Sequence, residues 1–348
     1  ILDQGSTSLN LDDLGFDDLK NSSGIECVCA AESDLLSCFP YSHKALGSYR
    51  MAVLLSFTRI IGMKAPGAHS IFSSLIVDFT QQYDPTSEEL EISWRVSGCK
   101  SKIAPVTINI EGYHCCAKLQ AFIRPKPIEQ PKIQAVQSLV RNDDFIGQKA
   151  LIVGGSRGLG EVAAKCIAAG GGEVTITYSS GEDDAKNIQQ EINDNGGSCN
   201  VRQFNIFNSS TEDLLESISS ITHMYYFASC QIIPNYTAFD VKLYEKYLQF
   251  YVSSFQNLSI SLITVFKGIR IFYPSTVYIN ERKPGYTEYL LAKADGEKIC
   301  HELNLKHADS RIKTKRLPAL ATDQTNSIIP KSIQPTLRPI YLSLKEMR

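Results

Sequence analysis

The chain has 348 residues, enough for two domains, with 43% hydrophobic and 21% charged residues, a balance that can bury a real core. A formal net charge of −2 gives no cause to expect nucleic acid or an anionic membrane as partner. No apolar run approaches the roughly 20 residues of a membrane-spanning helix; "MAVLLSFTRIIG" is short and contains Arg59. The ten cysteines include no Cys-x-x-Cys, and neither "ECVC" nor Cys115–Cys116 has zinc-site spacing, so they read as reduced thiols of a cytoplasmic protein with no metal.

Residues 1–39 begin "ILDQGSTSLNLDDLGF", which is acidic and polar, unlike a secretory signal. The start at Ile rather than Met predicts that upstream sequence is missing. "GIECVCA" predicts a short strand. Next, "KALGSYRMAVLLSFTRIIG" carries Ala45, Tyr49, Ala52, Val53, Ser56 and Ile60 at helical spacing. "HSIFSSLIVDF", "LEISWRV", "KIAPVTINIEGY" and "HCCAKLQAFIR" then read as strands, with Val106, Ile108 and Ile110 alternating against polar neighbours. A long apolar helix followed by an antiparallel meander predicts an α+β domain, a sheet wrapped around a helix. Over roughly 40–124 this resembles the hotdog domains of MaoC-like hydratases.

That resemblance implies acyl-thioester chemistry by a closely spaced Asp and His. No such pair is found: Asp34 and His43 are farther apart than the family's short motif, and His69 has no acid near it in sequence. Acyl binding or dimerisation is therefore expected of this half, not hydration.

"IRPKPIEQPKI" at 123–133 marks a boundary, since Pro125, Pro127 and Pro131 break helices and interior strands. The expected organisation is a hotdog-like domain over 1–124, a linker with a short helix over 125–145, and a second domain over 146–348. In the second, strands "ALIVG", "EVTITY", "CNVRQF", "HMYYFAS", "IRIFYPS" and "RIKTKRL" alternate with helix-like segments. Such alternation predicts an α/β, Rossmann-type, doubly wound parallel sheet.

Between the first of these strands and its helix lies Gly154-x-x-x-Gly158-x-Gly160. Glycines there permit a tight turn and close backbone approach to a pyrophosphate, while the helix N-terminus offers free N–H groups. Ser156, Arg157 and Leu159 complete the loop. The second strand ends in "TYSSG", with no acid before Glu182 to hold a ribose 2′-hydroxyl. Arg157 is instead placed to meet a 2′-phosphate, with Ser179 nearby, so NADP(H) is the expected cofactor.

This glycine spacing resembles that of the short-chain dehydrogenase/reductase family, with Val153 for the usual threonine. The resemblance extends to "YLLAK", whose Tyr289 and Lys293 match the family's Tyr-x-x-x-Lys, and to Thr276 and Ser275, 13 and 14 residues upstream, where a catalytic serine is expected. It implies Tyr289 as proton donor, Lys293 lowering its pKa and holding the nicotinamide ribose, and a hydroxyl orienting the carbonyl. A free phenol titrates near ~10, so a neighbouring cation makes chemical sense. The resemblance further implies cofactor contacts from Asn205 after the third strand, Ala228 in "FAS", and Thr322 after Pro318. Tyr251 stands where the family has an asparagine that holds a water beside the lysine. No seventh strand is apparent, "IYLSLKEMR" reading as strand or closing helix.

The expected function is NADP(H)-dependent reduction of a carbonyl, on a 3-oxoacyl (3-hydroxyacyl) thioester or polyketide-like chain carried by coenzyme A or acyl carrier protein, in a homodimer. Two alternatives stay open: a non-catalytic NADP(H)- and acyl-binding module, and a dehydratase or epimerase using the nicotinamide transiently.

Overall fold

A computed structural model describes residues 16–28, 37–80, 90–101, 103–112, 114–327 and 333–348. The chain divides into two compact units, one reaching Lys126, the other running from Pro127 to Asn326 and including the C-terminal helix.

In the first unit, strand β1 (Ser23–Val28) precedes helix α1 (Pro40–Arg59), and strands β2 (Ser70–Phe79), β3 (Leu90–Gly98), β4 (Val106–Gly112) and β5 (Cys115–Ile123) follow. They form one sheet in the order β1-β3-β4-β5-β2, every pair antiparallel. Gly47, at φ 77°, interrupts α1 near its start. Beyond it, Val53 and Phe57 are buried in one core with Val106, Ile108, Ile110 and Leu119. The strict alternation of β4 follows from having one face on this core and the other in solvent.

The second unit holds six parallel strands: β6 (Lys149–Val153), β7 (Glu173–Tyr178), β8 (Ser198–Gln203), β9 (His223–Tyr226), β10 (Arg270–Thr276) and β11 (Arg311–Leu317). Their order is β11-β10-β9-β6-β7-β8. Alternate residues of β6 feed opposite faces. Ala150 and Ile152 join a core with helices α2 (Gly158–Ala169) and α3 (Glu182–Asp194). Leu151 and Val153 join another with α4 (Thr211–Glu216), α6 (Ser254–Val265) and α7 (Thr287–Lys306). A π-helical turn, Gln249–Ser253, joins α5 (Val241–Leu248) to α6.

Among the described residues the sheet ends at six strands, and "IYLSLKEMR" falls in helix α8 (Leu337–Lys345) and its end. Ile340 and Leu344 of α8 enter the α2 core, and Asp144 binds Tyr341 and Arg348. In the proline-rich stretch, the Ile128 N–H donates to Asp323 at 2.8 Å, and the Gln130 amide binds the Ala321 carbonyl and the Thr336 hydroxyl. From Pro127 onward it is thus packed on the second unit.

Candidate active site

The glycine loop runs from the end of β6 to the start of α2. Gly154 has φ 80°, and a Cβ there would lie 2.7 Å from the Ala228 backbone nitrogen. A Cβ on Gly160 would lie 2.1 Å from the Gly154 carbonyl oxygen. The loop therefore closes on the end of β9 and on its own helix, as only glycine allows. Gly154 N–H donates to Thr177 Oγ1 at 3.2 Å and Gly155 N–H to the Thr177 carbonyl at 3.0 Å, which anchors the loop to β7. No side chain caps α2, so its first N–H groups remain for an anion. Leu159 packs into the core and offers only its backbone; Ser156 is half-buried in the loop. Thr322 lies by Gly158, its Cγ2 3.5 Å from where a Cβ would sit.

The ribose end is less open than the sequence suggests. Arg157 crosses to the turn after β7 and pairs with Asp184, an acid of the first turn of α3. An incoming 2′-phosphate must take the guanidinium from this carboxylate. Both partners are exposed, so the pair is worth less than ~1 kcal/mol and is easily exchanged. Ser179 accepts from Gln203 through its carbonyl. Asn205 turns its Oδ1 to the Phe207 N–H at 3.0 Å, a local turn that fixes the loop after β8. The backbone features fit a dinucleotide phosphate, and the ribose end fits NADP(H) once Asp184 yields.

The chemical end is built by β10, α7 and the π turn. Thr276 and Ser275, adjacent on β10, point different ways. Thr276 lies beside Tyr289, and its hydrogen bond favours the phenolate, pulling the Tyr289 pKa down against burial. Ser275 donates to Glu297, which also binds Arg316 through two bonds of 2.8 and 2.6 Å. Of the two nominated hydroxyls, only Thr276 is at the phenol. Burial pushes the Tyr289 pKa well up, and the neighbouring Tyr278 and Tyr247 add to this. Tyr289 packs edge-on against Tyr247 and Tyr251, at centroid distances of 5.9 and 5.5 Å.

Lys293, one turn further, is buried, and its Nζ donates to the Pro274 carbonyl at 2.6 Å. The ammonium lies over two rings, 4.2 Å from the Tyr251 centroid and 4.7 Å from that of Tyr273. Burial pulls its pKa down to about 7. Burial outweighs the groups that pull the Tyr289 pKa down, so the phenol holds its proton more tightly than a free one does. Tyr251 does not present its hydroxyl to the lysine as a water-holding group would. The hydroxyl is 2.7 Å from Ser229 Oγ, and the ring faces Lys293.

Several contributors escaped the sequence reading: Tyr247, Tyr273, Glu297 and Gln324, the last donating to Ser229 Oγ at 3.1 Å. Gly296 carried the one available signal, a glycine inside a helix three residues past the lysine.

The arrangement provides a phosphate loop beside a buried, protonated phenol with a hydroxyl and a cation near it. No family model and no curated protein matches the chain. Solved structures do. The angucycline C-6 ketoreductase LanV with bound NADP aligns over 60% of this chain and 91% of its own, at 14% identity and TM-score 0.55. A short-chain dehydrogenase from Shigella flexneri complexed with NADP aligns over 59% and 93%, at 15% identity and TM-score 0.53. The E. coli oxidoreductase yciK aligns over 59% and 91%, at 15% identity and TM-score 0.52. Over about 60% of the chain, the fold is that of these short-chain dehydrogenase and reductase structures. At such identities the likeness to the short-chain reductases is one of fold.

Proposed function

We propose that the second unit is an NADP(H)-dependent carbonyl reductase or alcohol dehydrogenase. One observation carries the reading: Thr276 and the protonated Tyr289 meet beside Lys293, in a unit whose glycine loop leaves an uncapped helix N-terminus for a phosphate. The NADP bound to LanV and to the Shigella flexneri protein supports the choice of cofactor.

The cofactor would be held by the N–H groups of Ser156–Gly160, by Arg157 at the 2′-phosphate, and by Ser179, Asn205, the Ala228 backbone, Thr322 and Lys293. When bound, it supplies or accepts the hydride. The chain's own residues handle the carbonyl oxygen. Thr276 donates a hydrogen bond that orients the carbonyl and stabilises charge developing on its oxygen. Tyr289, protonated at neutral pH, delivers the proton, and the Lys293 cation favours the resulting phenolate.

The substrate we assign is a 3-oxoacyl thioester or polyketide-like chain, on coenzyme A or acyl carrier protein. The first unit supports this choice, since one helix folded on a sheet of order β1-β3-β4-β5-β2 suits a MaoC-like hotdog that grips acyl groups. Among the described residues no carboxylate pairs with His43, which bonds Ser48 at 2.8 Å, or with His69, whose buried Nδ1 has no partner. Asp34 lies outside the described residues. Acyl binding rather than hydration is the role assigned.

A second copy of the chain is the partner we assign to β2. Among the described strands β2 has one neighbour, β5, and it exposes Ile71, Phe72, Leu75 and Ile76. An irregularity between Phe72 and Ser74 puts Phe72 and Leu75 on one face and Ile71 and Ile76 on the other. Antiparallel pairing about a two-fold axis between Ser73 and Ser74 would set Phe72 against Leu75 of the second copy and Ile71 against Ile76, each within its own face. A monomer by sedimentation at micromolar concentration would refute it. The nine free cysteines among the described residues suit a cytoplasmic protein, and no described helix is long and apolar enough to cross a membrane.

The catalytic reading is tested by NADPH consumption with a panel of 3-oxoacyl thioesters and simple ketones, in the parent protein and in Tyr289→Phe. Turnover abolished by the substitution, with NADPH binding retained, is the expected result. Unchanged turnover would sink it. Binding without turnover on any substrate would favour a cofactor-binding module, a reading the ring walls of Tyr247 and Tyr251 around Tyr289 also support.

A further inference from the structure

We infer that Tyr251 is a positioning residue that seats the Lys293 ammonium on its ring face, with Tyr273 and the Pro274 carbonyl forming the other sides of the seat. Three linked features build it. The π turn Gln249–Ser253 carries Tyr251 on an insertion into the helix ladder, where a carbonyl is released from the regular pattern. The Tyr273 hydroxyl donates to that Tyr251 carbonyl at 3.0 Å, which ties the π turn to β10. Gly296 makes this possible: a Cβ there would fall 2.0 Å from the Tyr273 hydroxyl oxygen.

The fourth support is the way Tyr251 itself is held. Its hydroxyl meets Ser229 Oγ at 2.7 Å, and Ser229 is fixed by Gln324 from the segment after β11. The ring is thereby locked beneath Nζ. Among the described residues no carboxylate lies within ion-pair distance of Lys293, so the two ring faces and one carbonyl are what the cation has. A desolvated ammonium gains more from a ring quadrupole than an exposed one. Other titratable groups facing it are Cys230 beyond β9 and Glu297 and Cys300 on its own helix; each favours the charged form, against the dominant pull of burial.

The seat has a consequence that differs from a water-holding side chain. A water would both stabilise the cation and exchange its proton; a ring does only the first. The charge on Lys293 should then depend on the electron density of the ring at 251 and not on the hydroxyl. The catalytic part of this inference rests on the reductase reading, but the charge on Lys293 is measurable in the cofactor-free protein.

The test is an NMR titration of 13Cε-lysine-labelled protein, with the Lys293 signal assigned by Lys293→Arg. Tyr251→Phe keeps the ring, and its midpoint should match the parent, near the value of about 7 that burial sets. Tyr251→Leu keeps the site dry but removes the ring face, so the charged form loses support and the midpoint falls. Should the leucine variant fail to fold, fluorinated phenylalanines at 251 weaken the ring face without changing shape, and the midpoint should fall stepwise with fluorine content. On 3-oxoacyl thioesters, kcat at neutral pH should follow the same order and recover as pH is lowered toward each variant's midpoint. Equal midpoints for phenylalanine and its fluorinated forms would overturn the inference. Absence of turnover in the parent would refute the reductase reading while leaving the titration decisive for the seat.

Discussion

The phosphate loop and the chamber around Lys293 adjoin in one unit, yet different parts of the chain shape them. At the loop, geometry is backbone geometry. Gly154 and Gly160 are close enough to Ala228 and to each other that no side chain fits, and the helix N-terminus carries no side-chain cap. In the chamber, geometry belongs to side chains from β10, the π turn, α7 and the loop after β9. The loop is fixed by glycines, whereas the chamber sets a tyrosine and a lysine among side chains from several elements. A backbone site tolerates almost no variation, while a side-chain site can be rebuilt around the same reacting atoms.

The largest expected effect lies at the loop. Gly160→Val should abolish NADPH binding and cost on the order of 3 kcal/mol of stability, read by titration and by chemical unfolding. Binding within tenfold of the parent would break the comparison on its rigid side.

Lys293→Met comes next. Loss of the cation should lower kcat at least about 100-fold. The pH dependence of stability should change too. The unfolded chain holds this proton up to about 10.4, but burial lowers the folded midpoint to about 7. Between those values the unfolded state binds the extra proton, so this residue's contribution to stability rises with pH. The parent's stability relative to Lys293→Met should therefore increase from pH 7 toward pH 10, by on the order of 4 kcal/mol. A flat difference in urea unfolding across that range would show that Lys293 is not desolvated.

The two hydroxyls of β10 should separate. Thr276→Ala should reduce kcat about 100-fold with little change in stability. Ser275→Ala should leave turnover nearly intact and cost about 2 kcal/mol, because it strips a charged hydrogen bond from Glu297. The reverse pattern would move the substrate to the other face of the strand.

Arg157→Ala should have the smallest effect, weakening NADPH about tenfold and NADH not at all. Since the Arg157–Asp184 pair is exposed, stability should not change.

How much of this was legible follows from the same contrast. Alternating strands and helices, the loop glycines and the Tyr289–Lys293 spacing are local patterns, and the sheet order and helix α2 answer to them. The choice between Ser275 and Thr276 was not local, since neighbours on a strand face opposite sides and only tertiary placement of α7 decides which side meets Tyr289. Tyr251 could be located but not oriented: whether ring or hydroxyl meets Lys293 depends on a π turn and on Tyr273, far along the chain. The pairing of Asp184 with Arg157 was hidden for a similar reason, the two being joined only when the loop folds over α3. Likewise "IYLSLKEMR" has too short an apolar pattern to separate strand from helix, and its packing on α2 settles the matter.

The central claim, a working reductase site with Tyr289 as its acid, is tested most directly by one stopped-flow experiment on NADPH fluorescence. Mixing the protein with NADPH and then with a 3-oxoacyl thioester should give a rise on binding and a decay on hydride transfer, and Tyr289→Phe should show the rise without the decay. A decay of equal rate in Tyr289→Phe would contradict the assignment of the acid, and no rise in either protein would contradict the assignment of the cofactor.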